Sequence, residues 1–223
     1  MELLKCVEVE TGPAPSASVV WLHGLGADGH DFEPVVPELR LPEALPVRFV
    51  FPHAPMRAVT VNMGMVMRAW YDIRIEGNAR IPDPADLAQS EAQVRALIQR
   101  ERERGMPTAR IVLAGFSQGG ALTLHTGVRY PERLAGLIGL SCSLPLAEAV
   151  PAEMAPAGRG MAVFVAHGGY DDLVPAARGR QARDVLAGLG YAVTWKEYPI
   201  PHSVSMEEIA DVSAWLQAAL PLQ

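Results

Sequence analysis

Cysteine is scarce: Cys6 and Cys142 are the only two in 223 residues. They provide neither a disulfide framework nor the paired spacing of a metal site, so no metal is expected. Positive charge is also in deficit, with 19 Lys and Arg against 25 Asp and Glu and a formal net charge of −6. That balance argues against nucleic acid and against an anionic membrane surface as partners. No apolar run approaches the ~18 residues of a membrane span. Met1-Glu2-Leu3-Leu4-Lys5-Cys6 lacks the basic and apolar regions of a secretory signal, so a cytoplasmic protein is the expectation. Internal repeats and low-complexity tracts are missing too.

What is present is a large apolar fraction, 49% of the residues. It suffices for the core of one α/β domain spanning 1–223. Leu3 to Val9 alternates and reads as an edge strand. Ser18 to Leu22, Val47 to Phe51, Ile111 to Leu113, Leu134 to Leu140, Ala162 to Ala166 and Ala192 to Tyr198 read as further strands, most of them short apolar runs. Helices are expected over Asp31 to Leu39, Asp83 to Arg104, after residue 120, over Pro175 to Leu189 and over Met206 to Leu220. Gly105 and Gly190 supply stops. The charge run Arg100 to Arg104 is expected to be a solvated face. Strands alternating with helices imply a mostly parallel central sheet flanked by helices.

The most informative stretch is Ala114-Gly115-Phe116-Ser117-Gln118-Gly119-Gly120. A buried strand, then Gly-x-Ser-x-Gly, then a helix is the layout of a nucleophile elbow. Glycines flank the serine because the turn leaves little room for Cβ atoms. The turn lifts the Ser117 hydroxyl out at the carboxyl end of the strand, where the helix presents its free N–H groups. A serine hydroxyl needs a base, and the base needs an orienting acid. In chain order Ser, Asp/Glu, His, the loop after strand 162–166 offers Asp171 and Asp172, and the loop after strand 192–198 offers His202. Of the other histidines, His125 is expected to be structural. His23 and His167 are expected to hold loops, and His30 and His53 carry no signal.

A second glycine-rich loop, His23-Gly24-Leu25-Gly26-Ala27-Asp28, follows strand 18–22. It lacks the third glycine of a dinucleotide fingerprint and the Lys-Ser/Thr of a phosphate loop. It fits better as the second half of an oxyanion hole. Between residues 52 and 82 lies an excursion rich in Met, Pro and Gly. Val61, Met63, Met65, Met67 and Ala69 alternate with more polar neighbours, which suggests an extended arm with one apolar face. That face either covers the core or lines an acyl-chain groove. On the second reading Met63 and Met67, with Trp70, contact substrate. Ser141 to Met161 is too short for a separate lid domain, so an open groove is expected.

These residues resemble a known family, the carboxylesterase and acyl-protein thioesterase group of α/β-hydrolases, or phospholipase/carboxylesterase family. The matching segments are Trp21 to Asp28, Pro52-His53-Ala54-Pro55, Ala69 to Ile73 and Gly115 to Gly120. His167-Gly168 with Asp171 and Val174-Pro175, then His202-Ser203, complete the series nearly end to end. The resemblance implies an α/β-hydrolase fold, a Ser117, Asp171, His202 triad, and an oxyanion hole from the backbone N–H groups of Leu25 and Gln118. The family spacing selects Asp171 over Asp172, although Asp172 stands where the family commonly has proline. The implied reaction is hydrolysis of carboxylic esters, with thioesters and lysophospholipids as alternatives, through an acyl-serine intermediate. Small-molecule esters, acylated proteins and lysophospholipids are the implied partners. No cofactor is implied, and a homodimer is compatible with the resemblance. A non-catalytic binding module is disfavoured because no triad member is missing; a peptidase or lactonase on this fold is the nearer rival.

Overall fold

The computed structural model describes residues 3–77 and 79–222. In chain order the strands are β1 (Cys6–Glu10), β2 (Ala17–Leu22), β3 (Val47–Pro52), β4 (Met56–Val59), β5 (Met65–Arg68), β6 (Ile73–Glu76), β7 (Ala79–Pro82), β8 (Ile111–Phe116), β9 (Gly136–Leu140), β10 (Ala162–Gly168) and β11 (Ala192–Tyr198). The helices are α1 (Pro84–Glu103), α2 (Gln118–Arg129), the single turn α3 (Val150–Glu153), α4 (Ala176–Gly188) and α5 (Met206–Ala219). Seven strands form the main sheet in the order β1-β3-β2-β8-β9-β10-β11. β1 runs antiparallel to β3 at one edge, and every other pair is parallel.

The central strands are apolar throughout because both faces of a parallel sheet are covered. Alternate side chains divide between two cores. Val20, Leu22, Leu113 and Val165 pack beneath α1, α2 and α4. Val19, Trp21, Val112 and Phe164 pack against α5 and the 32–39 segment. The longest helix starts as its sequence requires. Pro84 occupies the first turn, and the Asp83 side chain caps it by accepting from the N–H groups of Ala85 and Asp86. Gly105, with φ +91°, ends the run.

Three expectations are corrected here. Asp31 to Leu39 is not a helix but two 3₁₀ turns, Glu33–Val35 and Pro37–Leu39. Pro37 falls where a continuous helix needs an N–H donor, and its ring would clash with the preceding turn. The 61–69 arm is not one extended strand. It folds back as the β4–β5 hairpin through a 3₁₀ turn, Thr60–Asn62, with Met63 at φ +57° and Gly64 at φ +74°. The charge run is not wholly solvated, for the Glu101 side chain is buried. It accepts from Ser18 Oγ at 2.7 Å, Arg48 Nη1 at 3.0 Å and Arg104 Nη1 at 2.9 Å. Burial alone would push that carboxyl up; the Ser18 and Arg48 hydrogen bonds and Arg104 bring it below its ordinary value.

Glu208, in the first turn of α5, is the opposite case. Its carboxylate is buried, and neither oxygen has a hydrogen-bond partner among the described residues. Burial pushes its pKa up to about 7 from 4.5, with nearby Asp211 adding to the rise. A carboxyl raised in the folded state holds its proton there while the unfolded chain releases it, so stability falls as pH rises through that window. The loss is complete above about 7 and amounts to at most about 3 kcal/mol. Glu208→Gln should therefore gain stability over wild type at pH 8 and little at pH 4.5. Urea unfolding across that range checks it; parallel pH profiles would refute it.

Candidate active site

The elbow is built by sterics. Ser117 follows β8 with φ +54° and ψ −118°, a conformation that costs a non-glycine residue about 1–3 kcal/mol. Two backbone bonds hold it: Ser117 N–H donates to Leu140 C=O at 2.8 Å, and Ala121 N–H donates to Ser117 C=O at 2.9 Å. Any Cβ at Gly115 would overlap the Gly119 backbone, and one at Gly119 would overlap the carbonyls of Leu22 and His23. The two glycines therefore let α2 begin hard against β2 and β8.

Parallel strands bring the other two groups to the same edge of the sheet. His202 lies in the loop after β11, and Asp171 in the loop after β10. His202 Nδ1 lies 2.6 Å from Asp171 Oδ2, and its Nε2 lies 2.8 Å from Ser117 Oγ. A carboxylate only accepts, so the Nδ1–H donates to Asp171. In the neutral ring Nε2 is then left to accept from the serine hydroxyl. Asp171 is buried, and its other oxygen accepts from the N–H groups of Leu173 at 3.0 Å and Val174 at 2.8 Å. Asp172 is exposed. The Phe116 ring packs on the imidazole of His202 with centroids 4.8 Å apart.

Beside Ser117 lies a cleft of about 380 Å³. Leu25, Tyr71, Ile73, Cys142, Leu144 and Leu173 supply much of its apolar wall. Gln118 opens α2, and Leu25 sits on the loop after β2; both border the cleft. Neither backbone N–H donates to a protein acceptor among the described residues. The Leu25 loop is tied down on both sides. Gly26 N–H donates to Arg68 C=O at 2.9 Å. His23 donates from Nδ1 to Gly24 C=O at 2.7 Å and accepts the Ala54 N–H on Nε2 at 3.1 Å. Burial lowers the His23 pKa to about 4, so the ring stays neutral and can fill both roles. His167 donates from Nε2 to Val174 C=O at 2.7 Å, and burial lowers its pKa as well. His125 is buried between α1 and α2 against Glu91.

The expected substrate contacts need correction. Met63 stands 92% exposed at the tip of the β4–β5 hairpin, because the chain turns there instead of continuing along the cleft. Met67 packs beside Gly26, outside the wall of the cleft, and supports the Leu25 loop from behind. Trp70 is fully buried: its indole N–H donates to His23 C=O at 2.9 Å and its backbone N–H to Gln118 Oε1 at 2.8 Å. Sequence reasoning also missed the Gln118 side chain, whose Nε2 donates to Tyr71 C=O at 2.7 Å. A buried amide after the serine was the available signal. Cys142, Leu144 and Leu173 of the cleft wall carry no sequence signal, since the first two come from the loop after β9 and the third from the loop after β10.

A model of the phospholipase/carboxylesterase family matches residues 4–220. The chain is similar to acyl-protein thioesterase 1 of Gibberella zeae, at 39% identity over 92% of both chains. Acyl-protein thioesterase 1 of Neurospora crassa is 40% identical, over 92% of this chain and 88% of that one. The crystal structure of SOBER1 from Arabidopsis thaliana superposes with a TM-score of 0.85 at 30% identity, over 92% of this chain and 99% of that one. In this site, Gln118→Leu leaves the Trp70 N–H and the Tyr71 carbonyl buried without partners. It should cost about 2–6 kcal/mol in urea unfolding, at about 1–3 kcal/mol for each of the two orphaned groups. A loss below about 0.5 kcal/mol would mean that the amide does not hold the cleft wall.

Proposed function

The chain belongs to the phospholipase/carboxylesterase family of α/β-hydrolases and is a hydrolase of the carboxylesterase or thioesterase type, and from that premise we propose that Ser117, His202 and Asp171 carry its reaction. The observation that supports this most directly is the continuous Ser117–His202–Asp171 hydrogen-bond chain at the mouth of an apolar cleft. His202 Nε2 takes the Ser117 proton as Oγ attacks the acyl carbonyl carbon. The tetrahedral oxyanion then accepts from the Leu25 and Gln118 N–H groups, which have no protein acceptor among the described residues. Asp171 holds the imidazole tautomer and stabilises the imidazolium. His202 returns the proton to the leaving alcohol or thiol, which departs and leaves an acyl-serine. Water, activated by the same histidine, attacks that ester and releases the acid.

The apolar wall from Leu25 to Leu173 suits the acyl chain, with the leaving group directed outward. That arrangement admits a bulky leaving group, so acylated proteins and lysophospholipids belong with simple esters as candidate substrates. The naming of the similar fungal proteins as acyl-protein thioesterases favours acyl thioesters within this set.

A fluorophosphonate should label the wild-type protein, and Ser117→Ala should abolish both labelling and esterase turnover; labelling that survives in the variant would remove Ser117 from the role. Asp171→Asn should lower kcat by roughly 10⁴ with the fold intact, the size seen when that tautomer is lost in serine proteases. Asp172→Asn should change kcat little. The measurement is kcat near pH 8 on a p-nitrophenyl ester beside an acylated peptide thioester, with circular dichroism as the folding control. A large loss at Asp172 with a small one at Asp171 would reverse the assignment.

A further inference from the structure

The cleft beside Ser117 carries a charge pattern that ester hydrolysis by itself leaves without a use. Three charged side chains border it: Arg80 on β7, Arg178 in the first turn of α4, and Glu148 on the wall between them in sequence. The cleft is therefore net positive in a chain whose net charge is −6. The state of the two arginines is also unusual for this molecule. Arginine side chains elsewhere are committed to carboxylates or carbonyls. Among the described residues only Arg80, Arg159 and Arg178 have neither a side-chain hydrogen bond nor an ion pair, and two of these three face the same cleft. Glu148 pairs with neither of them. The two arginines come from separate elements, a hairpin strand and a helix, and both line this opening.

A guanidinium is a planar fork of donors that matches a carboxylate or a phosphate and keeps its charge at any working pH. Two such forks left open at a reactive cleft act as an anion receptor, and like-signed charges along a low-dielectric wall focus the field on what enters. We propose that the enzyme selects ester substrates carrying a second, anionic group, a carboxylate or phosphate on the same molecule, which Arg80 and Arg178 hold while the ester carbonyl sits at Ser117. This rests on Ser117 as the nucleophile. The apolar wall then accommodates the carbon chain between ester and anion, and the two arginines set a preference for the length of that chain. Glu148 repels an entering anion less than the arginine pair attracts it, because it stands alone.

The test compares kcat/KM for pairs of esters matched in size, one anionic and one neutral, on the full-length protein. In one arm the anion is on the acyl side: p-nitrophenyl hydrogen adipate and suberate against p-nitrophenyl hexanoate and octanoate. In the other arm it is on the leaving group: 4-(hexanoyloxy)benzoate and hexanoyloxyphenyl phosphate against phenyl hexanoate. In at least one arm the wild type should favour the anionic member. The double variant R80Q and R178Q should lower that anionic-to-neutral ratio by about tenfold, each single variant by less. About 0.5 M NaCl, where the screening length is roughly 4 Å, should lower it in the wild type too. The arm that responds tells which side of the ester carries the anion. A ratio that moves less than about twofold in both arms would overturn the proposal. Failure of the wild type to hydrolyse any of the esters, neutral ones included, would overturn the hydrolase reading and this inference with it.

Discussion

Everything at the reactive edge of this molecule depends on one backbone conformation. Ser117 sits at φ +54° and ψ −118° at the junction of β8 and α2, where a side chain is strained. The strain persists because its surroundings leave no alternative. The Ser117 N–H is bonded to Leu140, its carbonyl starts the helix, and bare glycines at 115 and 119 let backbone touch backbone. A relaxed φ would swing the hydroxyl away from His202 and move the first N–H groups of α2. The Ser117 hydroxyl and the first N–H groups of α2 are thus set by the same few torsions.

Around that point the site is assembled from loops, and these loops are held by buried polar side chains. His23 does this for the Leu25 loop, and Gln118 for the Trp70–Tyr71 wall. His167 does it for the Asp171 loop, by binding the Val174 carbonyl. In a low-dielectric interior such bonds are strong when complete and costly when broken, so they fix position as well as add stability. Burial keeps His23 neutral, which is what lets one ring donate and accept at once. Three histidines on one edge of the sheet are therefore placed differently: His23 and His167 brace loops, and His202 bridges Ser117 and Asp171.

Much of the architecture was legible in the chain. Continuous apolar runs such as Val19 to Leu22 and Ile111 to Ala114 identify strands buried on both faces. Asp83-Pro84 and Gly105 bracket the long helix, and β11 falls on the residues expected of it. Where the reading failed, a local rule had been outweighed. Pro37 broke the helix expected over Asp31 to Leu39. A turn at Thr60 to Gly64 interrupted an alternation that looked continuous, because period two registers side-chain pattern and is blind to a reversal of the chain. Glu101 went inside because Ser18, Arg48 and Arg104, distant in sequence, converge on it.

The division of labour between sequence and fold follows from the range of the forces involved. Turn sterics, capping and strand alternation act within a few residues, so the sequence alone determined the Gly-x-Ser-x-Gly elbow, the alternation of strands with helices, and the chain order Ser, Asp, His. Contact between loops acts across the whole chain and has no local signature. Only the tertiary structure brought the Asp171 carboxylate, which the family spacing favours over Asp172, onto His202, and made Trp70 a buried brace. It likewise decided that the cleft wall comes from Cys142, Leu144 and Leu173, and that Arg80 and Arg178 open on the same space. Those choices depend on which strands the sheet places side by side, and a parallel sheet makes neighbours of residues that the sequence keeps far apart.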